Sequence, residues 1–415
     1  MITTNPETVG LSRSKLNLIN DLSSSYIDEG HLAGTITLVA RHDKLVHFQC
    51  QGKSSLETGQ DMREDTIFRI YSMTKPVTAL AAMILYERGL FELDTPASAF
   101  IPGFKYMEVF DQGTEADFTT RKPNREITMR DLLTHTSGIP YGIIADTPVD
   151  RLYLQYVQPM VIADKPIAEI VDMITQMPLL FSPGEKWCYG MSSDVLGAAI
   201  QVISGQPLDQ FMATNIFEPL GMVDTGFFVP EHKLSRFKKL YMHRNGLPKE
   251  IRDLYPGQTL VDRIEGPWGK YHERPTMLSG GGGLVSTASD YLKFATMLMH
   301  KGRVGEGYLV RPETVAMMTS NQLPGDLAQC AIPELAPLAL PGIGYGFGVG
   351  MVIDPSKAGN VGNKGTFQWG GAAHTTFFVD PKEELIGIFL TAVFPQMMFD
   401  TDVQFRKLVY DAIEK

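Results

Sequence analysis

The sequence predicts an α/β (α+β) fold: an antiparallel sheet flanked by the N- and C-terminal helices, with an inserted, mostly helical domain. Two observations predict it. β-Branched and apolar runs with strand-like alternation occur near both ends of the chain, at residues 34–51 and 346–391, while the stretch between 91 and 271 is proline-dotted and reads as helices. Residues 1–82 and 275–415 are therefore assigned to a domain built from both termini, and 83–274 to the helical insertion, with a cleft expected between them. A chain of 415 residues, 44% of them hydrophobic and 20% charged, has the composition to build a sizeable core.

The elements follow in order. Leu11 to Tyr26 reads as an amphipathic helix, and Gly34–Ala40 with Lys44–Gln51 as a hairpin turning at His42-Asp43. Val77, Leu80, Ala81, Ile84 and Leu85 form the stripe of a buried helix that starts close to Ser72, runs to about Glu87 and stops at Gly89. Pro76 limits how far inside the helix it can sit. A capping box from Thr128 to Asp131 and helices near 167–176, 195–203 and 208–216 follow, with no strand alternation in that region. After the glycine run Gly280–Gly283, Thr287 and Asp290 cap a helix over 291–300. Strands are predicted at 346–352, 367–370, 375–379 and 385–391, and a last helix at 403–413.

Charge and cysteine content exclude several functions. Lys plus Arg number 37 against 47 Asp plus Glu, a formal charge of −10 that disfavours nucleic acid as a partner. Cys50, Cys188 and Cys330 show no Cys-x-x-Cys spacing, so neither a disulfide framework nor a zinc site is encoded. No metal or cofactor is called for. No basic-then-apolar leader opens the chain and no run approaches the roughly 18 apolar residues of a membrane span, so the expected location is cytoplasmic. A homo-oligomer is compatible with the sequence.

Ser72-Met73-Thr74-Lys75 is the most informative motif. Residues three apart on a helix share a face, so Lys75 projects beside Ser72, and unpaired N–H groups at the helix start can meet a negative charge. A serine hydroxyl is a weak nucleophile until a neutral amine or a phenolate takes its proton. Two further segments can complete a site. Tyr189 lies on an irregular link between the Pro183-Gly184 turn and a helix capped by Ser192 or Ser193. In Gln368-Trp369-Gly370-Gly371-Ala372-Ala373-His374, glycines interrupt a strand where a ligand or backbone approaches closely. Taken alone, each also has a structural reading: a helix cap, a packed Tyr–Trp pair, and a bulge.

In order and spacing the three segments resemble the β-lactamase-like serine hydrolases, and most closely the family VIII carboxylesterases. The resemblance spans nearly the whole chain. It extends to Phe68–Pro76, to Asp131-Leu132-Leu133-Thr134-His135-Thr136-Ser137-Gly138, and to Gly281-Gly282-Gly283-Leu284-Val285-Ser286-Thr287. It implies catalysis by Ser72, Lys75 and Tyr189, with the backbone N–H groups of Ser72 and Ala372 as the oxyanion hole. The reaction it implies is hydrolysis of short-chain carboxylic esters through a Ser72 acyl-enzyme, with weak β-lactam hydrolysis as a side activity.

Departures from the wider family shape that expectation. Penicillin-binding relatives carry Lys-Thr-Gly on the late strand, whereas this chain has Trp369-Gly370-Gly371 as its substrate-binding strand. Lys364-Gly365-Thr366 is out of position and reads as a strand lead-in. Met191 stands where class C β-lactamases have asparagine, with Ser192 as a substitute contact, and Ser193-Asp194 reads as a helix cap. His135 is a structural loop residue, and His374 lines the substrate pocket or turns the chain. No Gly-x-Ser-x-Gly elbow is present. The competing functions are β-lactamase or D-amino-acid peptidase, acyltransferase, and a non-catalytic acyl-ligand binding protein.

Overall fold

The computed structural model describes residues 2–262, 271–359, 361–395 and 398–414. Residues 263–270 of the expected helical insertion lie outside the described residues.

A seven-stranded sheet is assembled from both ends of the chain, in the order 343–345, 350–352, 367–371, 375–380, 385–390, 34–41 and 44–52. Each neighbouring pair is antiparallel. Strand Gly34–Arg41 is buried along its whole length, which requires cover on both faces. Ile36, Leu38 and Ala40 pack with Val77, Leu80 and Ile84 of the Thr74–Glu87 helix and with Tyr291 and Phe294 of the Ala288–Met299 helix. Val39 and Val46 share a second cluster with Ile19, Phe405 and Val409 from the terminal helices. His42 and Asp43 turn the hairpin with φ of 49° and 59°, the left-handed pair that suits a two-residue turn.

Several expectations need adjustment. The single N-terminal helix is two, Arg13–Leu16 and Leu18–Asp28, because Asn17 caps the first and opens the second. The expected strand at 346–352 is a bent pair, Ile343–Tyr345 and Gly350–Val352. The bend holds Gly348 at φ 77°, where a Cβ would meet the Lys75 carbonyl oxygen at 2.7 Å. The middle of the chain does contain strands: a hairpin of Val109–Gly113 with Phe118–Arg121, and short strands Tyr241–His243 and Leu260–Asp262. They are too short for alternation to register in sequence. The capping box at Thr128 forms as expected, with Asp131 closing it reciprocally. Among the described residues, no helix is long and apolar enough to cross a membrane.

Candidate active site

Ser72 sits on a tight turn pinned from both sides. Strand Phe68–Arg69 pairs with Val285–Ser286, the Ile70 N–H donates to the Leu284 carbonyl at 3.1 Å, and the buried Tyr291 hydroxyl donates to the Met73 carbonyl at 2.9 Å. Between these anchors Tyr71 adopts φ 42°. That conformation costs an L-residue roughly 1–3 kcal/mol and persists only where the surroundings impose it. The chain then makes one 3-10 turn, Tyr71–Met73, before the α-helix begins at Thr74, so Ser72 lies just ahead of the helix. Pro76 falls in its first turn, where its missing N–H leaves no bond unmade.

Lys75 is 1% exposed, and its ammonium nitrogen contacts three oxygens: Ser72 Oγ at 3.1 Å, Tyr141 Oη at 2.9 Å and the Gly281 carbonyl at 2.7 Å. A protonated amine fills all three with its three N–H bonds. A neutral amine has two N–H bonds and a lone pair. Because the carbonyl can only accept, the lone pair must then face Ser72 or Tyr141, either of which can donate. One proton therefore separates a resting state from a state in which Lys75 can accept the Ser72 proton.

Two tyrosines surround Lys75 in different ways. Tyr141 is its hydrogen-bond partner. Tyr189 instead presents its ring, 4.7 Å from Nζ to centroid, while its hydroxyl accepts from Trp369 Nε1 at 3.4 Å. The expected Lys75–Tyr189 pair thus exists as a face contact. Stacking fixes the ring: Trp187 lies parallel at 5.9 Å and Tyr141 edge-on at 5.6 Å. Gly190 lets the two tyrosine segments touch, since a Cβ there would fall 2.0 Å from the Ile139 carbonyl oxygen. Tyr141 was missed from sequence because the Asp131–Gly138 stretch ends three residues earlier. The available signal was a tyrosine between Pro140 and Gly142, on a turn as Tyr189 is. Burial holds the Tyr141 phenol well above its ordinary pKa, with the nearby Asp194 charge acting in the same sense, so it stays protonated at neutral pH.

The glycine run serves close packing. Thr78 Oγ1 donates to the Gly280 carbonyl at 2.7 Å, and the Leu284 N–H donates to Thr74 Oγ1 at 3.1 Å, stitching the run along the Thr74–Glu87 helix. A Cβ on Gly280 would meet the Ser193 carbonyl oxygen at 2.4 Å. Asp194 is not a helix cap. The 192–204 helix starts after Met191 without a side-chain cap, and Asp194 Oδ1 instead accepts from Ser279 Oγ at 2.5 Å and from the Gly281 N–H at 3.1 Å. Burial raises the Asp194 carboxyl from its ordinary pKa, opposed by the Ser279 hydrogen bond, the Lys75 charge and the Gly281 N–H.

The late strand runs Phe367–Gly371 and reaches the Ser72 turn at its end. A Cβ on Gly371 would lie 2.4 Å from the Ile70 carbonyl oxygen, and Thr375 Oγ1 donates to that same carbonyl at 3.4 Å. Ala372 follows in a turn closed by the His374 N–H on the Gly371 carbonyl at 3.1 Å. His374 has φ 59°, contacts the Pro395 carbonyl through Nε2 at 3.0 Å, and joins Trp187, Tyr189, Trp369 and Gly370 around a cavity of about 320 Å³. Leu338, Leu340 and Ile343 make one wall apolar. The remaining expected contacts lie elsewhere. Met191 and Ser192 are buried, and the Ser192 hydroxyl pairs with Ser137 at 2.8 Å, so neither replaces the missing asparagine at the cleft. His135 is fully buried at φ 57°, and burial together with the Lys75 charge holds it neutral, as suits a structural residue.

The sequence matches the Beta-lactamase family from residue 19 to 410. The chain belongs to this family. It is 32% identical over 397 residues to Esterase EstB of Burkholderia gladioli, covering 92% of each protein. It is 30% identical over 406 residues to the lovastatin esterase of Penicillium rubens, covering 92% of this chain and 96% of that one. Among solved structures, it is similar to EstCE1, described as a hydrolase with promiscuous acyltransferase activity, at 26% identity and a TM-score of 0.77 over 96% of this chain and 99% of that one. Family and neighbours agree on a β-lactamase-like serine-hydrolase fold.

Proposed function

We propose that this chain hydrolyses short-chain carboxylic esters through an acyl-enzyme on Ser72, in a cleft between the sheet and the helical insertion. The observation that carries the reading is the Lys75 nitrogen, 3.1 Å from Ser72 Oγ and otherwise held by an obligate acceptor and a phenol. Ser72 Oγ attacks the ester carbonyl as its proton passes to neutral Lys75. The alkoxide leaving group takes a proton back from the Lys75 and tyrosine cluster, and water attacks the acyl-enzyme with the same groups as base. Tyr141, a phenol bonded to Lys75, relays protons; Tyr189 shapes the ammonium's surroundings and meets the substrate beside Trp369. The N–H groups of Ser72 and Ala372 receive the oxyanion, since Gly371 brings that turn against the Ser72 turn.

The two esterase relatives, each aligned over most of both chains, support ester hydrolysis. Trp369 in place of a cationic side chain on the late strand favours esters over carboxylate-bearing β-lactams. A second reading, transfer of the acyl group to an alcohol, is favoured by the likeness to EstCE1. The test is turnover of p-nitrophenyl esters from acetate to decanoate, with nitrocefin alongside and product analysis in the presence of an added alcohol. Efficient turnover of the short esters and slow turnover of nitrocefin support the proposal. Nitrocefin turnover exceeding that of every ester would overturn it.

A further inference from the structure

We propose that Asp194 is the positioning residue of the Lys75 base, acting on it through the backbone of Gly281. Both ends of that one residue are engaged: its N–H donates to Asp194 Oδ1 at 3.1 Å, and its carbonyl accepts from Lys75 Nζ at 2.7 Å. The carboxylate is itself held. It is 2% exposed, and Ser279 donates to the same oxygen at 2.5 Å while accepting from the Gly282 N–H at 3.0 Å. A Cβ on Gly281 would fall 2.4 Å from Asp194 Oδ2 and 3.0 Å from Tyr141 Oη, so carboxylate, peptide and phenol fit together only around a glycine.

This arrangement does two things. The Gly281 carbonyl shares its peptide group with the Gly282 N–H, which is held by Ser279, and the Asp194 bond to the Gly281 N–H fixes the residue from its other side; the carbonyl so held aims the lysine nitrogen at Ser72. A negative charge in a dry site also favours the ammonium that forms when Lys75 takes the Ser72 proton. Among the described residues, the other titratable groups facing the cluster are Tyr141, Tyr189, Tyr345 and His135, of which Tyr141 and Tyr345 stay phenols and His135 stays neutral. In its carboxylate form Asp194, held by the Ser279 hydroxyl and the Gly281 N–H, is the group of this cluster that balances the ammonium. A nucleophile, its base and a third group that orients the base form the usual logic of an activated serine, here with the backbone of one residue interposed.

The inference rests on the serine-esterase reading, and the test separates the two. Alkyl phosphonate labelling of Ser72 in the unaltered protein is checked first; its failure would count against the esterase reading itself. Asp194→Asn keeps an acceptor oxygen for Ser279 and Gly281 and removes the charge. With that charge removed from beside the base, the acid limb of kcat/KM is expected to move to lower pH by roughly 0.5–1 unit. The plateau kcat falls about 10–100-fold because the base is weaker, with KM changed by less than about twofold. A purely structural role would lower kcat or raise KM and leave the limb in place. That result, or a wild-type profile, overturns the proposal. Should Asp194→Asn not fold, Gly281→Ala pushes the carboxylate from the peptide and is expected to move the limb in the same direction; an unmoved limb there overturns it equally.

Discussion

Gly371→Ala tests the alignment of the proposed oxyanion donors with the Ser72 turn. In the native packing a Cβ at this position would lie 2.4 Å from the Ile70 carbonyl oxygen and 2.3 Å from Thr375 Oγ1. The threonine hydroxyl can rotate away, but the Ile70 carbonyl is backbone, one residue from Tyr71 with its φ of 42° and two from Ser72. Since Cβ atoms essentially never sit closer than 3.0 Å to such a neighbour, the strand or the turn must retreat by at least about 0.6 Å. A misplacement approaching 1 Å costs about 10²-fold in rate, and loss of one oxyanion donor about 10²–10³-fold. The expected result is a fall in kcat of about 10²-fold, equivalent to about 2.7 kcal/mol, with KM for p-nitrophenyl butyrate little changed because the donors act on the transition state. Gly307→Ala, whose Cβ would meet only the Val304 carbonyl oxygen at 3.9 Å, is the control and should leave kcat unchanged. A Gly371→Ala enzyme that folds and turns over within twofold of the wild-type rate would refute the reasoning, because the oxyanion donors could not then depend on this contact.

Two further outcomes are expected. Tyr141→Phe removes the phenol 2.9 Å from Lys75 and should lower kcat about 10–100-fold in steady-state assays while the Ser72 labelling site stays intact; wild-type kcat would show that the relay does not use this hydroxyl. His47, buried beside Thr37 at 2.7 Å, has its pKa lowered by burial from the ordinary 6.5 to about 4. The unfolded chain therefore binds a proton that the folded one refuses between those values. Stability should fall as pH drops from about 6.5 toward 4, by about 3 kcal/mol at this one residue. Urea unfolding across that range, compared with a His47→Gln protein lacking this contribution, measures it.

What the sequence made legible was what periodicity and turn chemistry encode. The stripe from Val77 to Leu85, the His42-Asp43 turn and the Thr128–Asp131 capping box each state a local rule that the structure obeys. The late strand follows from the same patterning, whereas Ser72, expected at the helix start, sits one 3-10 turn ahead of it because Ile70 and Met73 are pinned on either side. What escaped depends on contacts between segments distant in sequence. Tyr141 reaches Lys75 across 66 residues and Asp194 reaches Gly281 across 87, so no local pattern marks either. Asp194 reads as a cap because an acidic residue in the first turn of a helix is normally there for the helix; Ser279 and the returning glycine run give it different partners. Ser192, expected at the cleft, is drawn instead into a buried hydroxyl pair with Ser137. The orientation of Tyr189 was likewise invisible, since Trp187 and Trp369 set it by stacking and by one hydrogen bond.

The central claim is that Ser72 carries the acyl group, and mass spectrometry after treatment with an alkyl fluorophosphonate tests it most directly. The account predicts a single adduct on the peptide containing Ser72, absent from Ser72→Ala and formed much more slowly in Lys75→Ala. Stoichiometric labelling at another residue, or full esterase activity retained by Ser72→Ala, would contradict it.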